Sequence, residues 1–405
     1  MVLPYMKSFG RSLLLGATLF AFMHAAAHAV PAACSEQALA ELLEPRSVSR
    51  TEVVLTCSPT LKPTDVIDKR VIILGSAASG MVLDCRGARV RNELLILSRE
   101  TTAPEAGGWD RPESVTVRNC TIVGGMRVSG MAINGEAPPL RASSRTLGHT
   151  ERAQNAAPRD ILLENLSIRT PGNIPLYVSP GVTGLTLRNS TITGKSRSVA
   201  IYLDAESAAN TIAGNTIDAD VGREAIAVDA SAYNLIANNV IGTRSPRPGG
   251  IFLYRNCGQG GTIRHQTPHS NAIVGNEFFV APAIWVASRN GNRSYCWADS
   301  GYPFGSSASN LDHAQNTLIC GNHFVAVDGR EILKINDGPT RIEGNRLLDP
   351  GFAGAPALFT RFVTVGTPHT PAYAGNDVGS TRRSDAAALC LKAKLPDGQP
   401  VRMTQ

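Results

Sequence analysis

The stretch "IYLDAESAANTIAGNTIDADVGREAIAVD" (residues 201–229) opens and closes on the same figure: apolar, variable, apolar, Asp. "IYLD" begins at 201 and "IAVD" at 226. "LYVS" stands one equal step before, at 176–179, and "IFLY" one equal step after, at 251–254. After longer interruptions the figure returns as "IWVA" (284–287) and "LKIN" (333–336). Internal repetition of this length signals stacked units, each burying its apolar positions only against its neighbours.

A second figure keeps step with the first. "NTIAGNTI" (210–217), "NLIANNVI" (234–241), "NAIVGNEF" (271–278) and "NTLICGNHF" (316–324) each follow one copy. "TVRNCTI" (116–122), "LLENLSI" (162–168) and "TLRNSTI" (186–192) extend it backwards, and "RIEGNRL" (341–347) closes it. Short β segments with one asparagine-bearing corner per turn fit a coil of parallel strands, each pairing with its equivalents about 4.8 Å above and below. Asn119, Asn165, Asn189, Asn215, Asn239, Asn276, Asn322 and Asn345 are expected to stack as one corner ladder.

This double pattern resembles the right-handed parallel β-helix proteins, a group that includes pectate lyases, alginate lyases and mannuronan epimerases. The resemblance covers about residues 65–350 and implies an all-β solenoid with coils of about 25 residues. It implies no particular chemistry. A "DPHD"-like motif and the Gly-His-Gly signature of polygalacturonases are absent, and "RSPRP" (244–248) only loosely matches the arginine-rich pectate-lyase segment. No family's catalytic residues are therefore carried over.

The remaining organisation follows. Lys7 and Arg11 precede the apolar "LLLGATLFAFMHAAA", and "AHA" at 27–29 offers small residues for cleavage, so 1–29 reads as a signal peptide. No later run is long and apolar enough to span a membrane. Residues 30–64 are expected to form an N-terminal cap around a helix in "CSEQALAELLE" (34–44). Residues 351–405 are expected to pack as a tail along the coil. The coil between them carries insertions at 134–158, 255–270 and 288–315.

Export makes eight cysteines readable as disulfides. Cys34 is placed with Cys57, Cys85 and Cys120 fall on neighbouring coils, and Cys390 is left for Cys320. Cys257 with Cys296 would join two insertions. Metal-site spacings such as Cys-x-x-Cys are missing. Without Lys7 and Arg11, the 39 basic residues fall to 37 against 33 acidic ones. That mild excess suits an anionic partner. Basic tracts interleaved with aromatics, the footprint of a nucleic-acid binder, are absent. A monomer is expected.

Register assigns the site. If the Ile, Leu and Val positions point inward, Tyr177, Tyr202, Phe252, Trp285 and Lys334 share one outward column. Four aromatics on a solvent face would make a strip about 20 Å long, suited to the apolar faces of sugar rings. The next outward column holds Asp204 and Asp229, about 5 Å apart. They are a candidate acid/base pair, a hydrolytic pair or a Ca²⁺ site, or simply two aspartates separated by Arg223 or another cation. Beside them the insertions bring Tyr254, Arg255, His265 and Arg289. Proton abstraction at C5 of a uronate needs its carboxylate neutralised, a base and an acid. Arg255 and Arg289 are candidates for the first role, Tyr254 and His265 for proton transfer, and Asp229 for orientation. The expectation is an exported lyase or C5-epimerase acting on an anionic polysaccharide, with no required cofactor and Ca²⁺ as an option. A non-catalytic glycan-binding module and a glycoside hydrolase remain the alternatives.

Overall fold

The computed structural model describes residues 31–103, 108–243, 249–256, 261–289, 301–305, 309, 311–325, 331–349, 356–366, 369–379, 390 and 394–401. The signal-peptide reading and the Cys257–Cys296 pairing lie outside these residues.

Among the described residues, three parallel sheets of 11, 10 and 12 strands stack along one axis. A chain passing through one coil visits them in order: first sheet (Leu176–Val178), second (Thr186–Arg188), third (Thr191–Ser196). The predicted register holds. Leu176, Ile201, Ile226, Ile251, Ile284 and Leu333 pair in sequence along the first sheet, and all are fully buried. Period-two alternation then sends their neighbours to the outer face.

The asparagines divide into two columns rather than one. Asn119, Asn165 and Asn189 take positive φ (57°, 52° and 52°) at the corner between the second and third sheets. In later coils Gly214, Asn238, Gly275, Gly321 and Gly344 occupy that left-handed position, where a Cβ is disfavoured and Gly or Asn is preferred. The true ladder starts one residue further on, at Asn215, and runs through Asn239, Asn276, Asn322 and Asn345 to Asn376. Asn239 shows its logic. Its Nδ2 donates to Ile212 O (2.8 Å) and Asn276 Oδ1 (2.9 Å), while its Oδ1 accepts from Asn215 N (3.0 Å) and Asn215 Nδ2 (2.9 Å). Both donors and both lone pairs are satisfied. A parallel ladder, Asn210–Asn234–Asn271, opens the second sheet. Its members are the first letters of the repeated stretches quoted above.

The coil is longer than its sequence signature. Glu52–Leu55 and Val66–Ile67 already join the first and third sheets. At the other end, Val363–Val365, Ala372–Ala374 and Asp377–Gly379 add a further turn within the stretch expected to be tail. Helix α1 (Glu36–Leu43) closes the N-terminal end. Ser35 Oγ caps it by accepting from Ala38 N, and Leu42 is buried against the coil. Cys390, Leu395 and the partly buried Val401 pack on the outer face of the second sheet. Disulfides join Cys34 to Cys57, Cys85 to Cys120 and Cys320 to Cys390, as placed from the sequence. Three such bonds fit an oxidising extracellular or periplasmic compartment. No helix among the described residues is long and apolar enough to cross a membrane.

Candidate functional site: a lidded cluster on the first sheet

The outward column is where the register puts it, but it is not open to solvent. Tyr177, Tyr202, Tyr254, Asp204 and Asp229 are all buried. The cover is the insertion after Met126–Ser129, which folds into α2 (Pro138–Ser144) and α3 (His149–Ala156), together with residues 261–270. Thr262 Oγ1 donates to Gly135 O (3.1 Å) and Ile263 N to Ser144 Oγ (3.0 Å), joining these two pieces. The turn at Gly135 lies so close that a Cβ there would sit 2.7 Å from Asp204 Oδ2. The expected exposed strip is thus corrected. Its first half is roofed by the chain's own insertions, and only Phe252, Trp285 and Lys334 stay half-exposed.

Under the roof, geometry follows from the repeat. One coil plus two residues along a strand places each outward tyrosine against an aspartate 27 positions later. Tyr177 OH donates to Asp204 Oδ2, and Tyr202 OH to Asp229 Oδ2 at 2.7 Å. The two phenol rings stack at 5.1 Å. Asn256 seals Asp229 with its backbone N (2.8 Å to Oδ1) and its Nδ2 (2.6 Å to Oδ2). Arg264, 3 % exposed, brings Nη2 to 3.5 Å from Asp204 Oδ1 and 4.0 Å from Asp229 Oδ2. The cation between the aspartates is therefore Arg264 and not Arg223, which pairs with Glu224 (2.9 Å) and donates to Tyr254 OH (3.0 Å). Among the described residues, the buried Arg264 Nε and Nη1 have no hydrogen-bond partner.

Burial sets the protonation states. Desolvation raises the Asp204 carboxyl above the usual carboxylate range; Arg264 opposes this and Asp229 adds to it. The phenols of Tyr177, Tyr202 and Tyr254 are pushed well above their ordinary value, chiefly by burial. All three stay protonated; Tyr177 and Tyr202 donate to the aspartates, while Tyr254 OH accepts from Arg223 Nη2. Tyr254 is thus no base in this closed arrangement. Glu206 anchors the roof: its carboxylate accepts from Thr150 Oγ1, His265 N (2.7 Å) and Gln266 N (3.1 Å), and burial raises it to about 7.

The other expected residues lie at the edge. Arg255 N and Arg289 N donate to Asp312 Oδ1 (3.1 Å) and Oδ2 (2.7 Å), so one carboxylate ties both segments. The Arg255 Nη2 donates to Leu311 O (3.3 Å), and the Arg289 guanidinium lies 4.4 Å over the Tyr254 ring. His265 Nε2 is 2.7 Å from Ser144 O, with His149 and Phe304 beside the ring, and burial lowers its pKa. Phe252 meets Trp285 edge-to-face at 5.3 Å. Lys334 Nζ lies 4.9 Å over Trp285 and pairs with Glu331 (3.1 Å). Arg255, Tyr254 and His265 therefore make separate contacts, while Arg264, Asn256 and Glu206 take the central places. Arg264 was visible in "TIRHQ" (262–266) only as one more loop cation.

A family model for a right-handed beta helix region matches residues 108–296. The fold is a right-handed parallel β-helix. A search of curated proteins finds no match. Among solved structures, this β-helix is similar to Geobacillus virus E2 ORF18, with 11% identity and TM-score 0.37 over 81% of this chain and 51% of that one. The Dettilon tailspike protein gp208 is similar at 14% identity and TM-score 0.33, over 75% and 61%. A PL6 alginate lyase in complex with a trisaccharide is similar at 12% identity and TM-score 0.31, over 86% and 83%. The chain spans about half to three-fifths of the first two.

Proposed function

We propose that this β-helix is an exported polysaccharide-interacting protein, and that the roofed cluster is the reaction centre of a lyase or C5-epimerase for a uronate-containing glycan. The observation that carries the reading is Arg264: a buried guanidinium with two of its nitrogens unpaired among the described residues, beside a carboxyl that burial raises above the usual carboxylate range. Leaving a buried donor unmade is costly, so an incoming acceptor is favoured there. A uronate carboxylate supplies one, and its neutralisation acidifies the C5 proton. Asp204 in its ionised form takes that proton. Tyr177, held protonated against Asp204, supplies a proton either to the departing C4 oxygen or to the opposite face of C5. The first outcome breaks the C4–O bond and leaves an unsaturated uronate; the second inverts C5. In this reading Arg264 takes the carboxylate-binding role expected of Arg255 and Arg289, and the Gly135 turn lifts to admit the sugar.

The test is incubation of the mature protein with a panel of uronic-acid polysaccharides, read by ultraviolet absorbance of unsaturated uronate and by proton NMR at C5. Runs with and without Ca²⁺ are included, since neighbouring carboxylates are also a calcium donor set. Absorbance lost in Arg264→Gln supports a lyase, and NMR inversion without absorbance supports an epimerase. New reducing ends without unsaturation would instead favour hydrolysis. A second reading, glycan binding without catalysis, is favoured by the half-exposed Phe252, Trp285 and Lys334 beyond the roof. Binding that Trp285→Ala weakens, with silence in every turnover assay, would select it.

A further inference from the structure

The strands of the three sheets carry ten lysines and arginines among the described residues. Seven of them pair with an acid. Arg70 meets Glu52 and Glu93, Arg118 meets Asp84, Arg127 meets Glu93, and Arg188 meets Glu164. Lys334 meets Glu331, Arg341 meets Glu343, and Arg346 meets Asp377. Three make no ion pair: Arg89, Arg169 and Lys195. All three are exposed and line one cleft of ≈ 640 Å³ on the outer face of the third sheet, on the far side of a corner from the roofed cluster.

Register gives the spacing. Arg89 pairs with Thr121 and Thr121 with Ser167, and Arg169 follows two residues along that strand. Lys195 lies one strand on, opposite Pro171. Strand separation and rise place the first two Cα atoms about 12 Å apart and the next two about 8 Å apart, on a diagonal crossing four strands. Between them the floor is Thr121, Val123, Ser167, Thr193 and Gly194: hydroxyls, small apolar surface and open backbone. Asp220, opposite Lys195 in the next coil, ends the cationic run.

We propose that this groove is a second glycan site, binding a linear acidic polysaccharide with one negative charge per sugar, independently of the roofed cluster. Separated charges along a diagonal match a repeating polyanion better than a compact anion, and the hydroxyl floor suits sugar hydroxyls. No bond is made or broken there. The groove holds the chain, and a held chain raises the local concentration of sugar at the first sheet.

The experiment measures binding of polygalacturonate and polymannuronate to the full mature chain at low and moderate salt, with dextran as neutral control. The variant is Arg89→Gln/Arg169→Gln/Lys195→Gln; the control is Arg188→Gln, an already paired cation. All four side chains are at the surface, so circular dichroism is expected to be unchanged. The expected result is salt-sensitive binding of the acidic chains, weakened roughly tenfold by the triple change and little by the control. Equal binding by the triple variant, absence of acidic-chain binding at low salt, or equal affinity for dextran each overturns the proposal. Preferential binding of duplex DNA through the same three residues also overturns it. Because the readout is binding, failure of the turnover assays leaves it standing.

Discussion

Two of the stacks of buried polar side chains, the long asparagine ladder and the roofed cluster, are finished differently. In the asparagine ladder the chain repeats one residue per coil, and at Asn239 every donor and acceptor is matched. In the roofed cluster it also repeats, Tyr177 to Asp204 and Tyr202 to Asp229, but the stack ends on Arg264 with two nitrogens unmatched among the described residues. A closed network rigidifies a corner and has nothing left to offer a ligand. An open one carries a standing cost that a ligand relieves. The difference separates scaffold from site more sharply than burial does, since both stacks are buried.

The largest expected effect breaks the comparison at Arg264. Arg264→Met leaves Asp204 and Asp229 without their cation and is expected to cost about 3–5 kcal/mol, read from chemical denaturation. Adding Asp204→Asn and Asp229→Asn should restore most of that stability while leaving turnover absent. Turnover by the restored triple variant would reduce the cluster to a structural plug. Asn276→Ala makes the opposite case. It strands Asn239 N and Nδ2 and the Ile236 carbonyl, an expected loss of about 3 kcal/mol. Turnover per folded molecule should not change. A fall in that ratio would mean that the ladder shapes the site.

Legibility in the sequence followed the same division. The inward column and the outward partners Tyr177, Tyr202, Phe252, Trp285 and Lys334 were readable because strand alternation fixes facing, an unbroken step of 25 fixes register up to Phe252, and the same figure returns after the insertions at Trp285 and Lys334. Burial was not readable. Whether an outward tyrosine meets water depends on where the insertion around α2 and α3 lands, and no periodicity runs through that insertion. The ladder was misjoined by one residue because Asn serves both the left-handed corner (Asn189) and the buried rung (Asn215). Only backbone φ separates them. Arg264 was missed for a related reason: a loop cation acquires a role only once the loop folds back over two aspartates.

The smallest expected effect sharpens the comparison by asking how firmly the roof is held. Glu206 is raised from 4.5 to about 7 and His149, inside the roof, is lowered from 6.5 to about 3, both chiefly by burial. Their signs oppose. The native protein binds the Glu206 proton more tightly than the unfolded chain does. Its contribution is therefore full below pH 4.5 and is lost as pH rises to about 7, by at most about 3 kcal/mol. His149 is native only when neutral, next to His265, Arg152 and Arg264, so its contribution is lost as pH falls from 6.5 towards 3. Between 4.5 and 6.5 the two slopes largely cancel in the wild type, so the measurement must be a difference. Stability of Glu206→Gln relative to wild type should rise from pH 4.5 to 7, and that of His149→Gln should rise as pH falls below 6.5. Hydrogen exchange at His265 and Gln266, whose amides Glu206 holds, places the first change in the roof. Exchange that is independent of pH-linked Glu206 ionisation, after correction for intrinsic rates, would mean that the roof is clasped elsewhere. The asparagine ladder has no titrating rung and serves as the flat reference: its amides should show no such dependence.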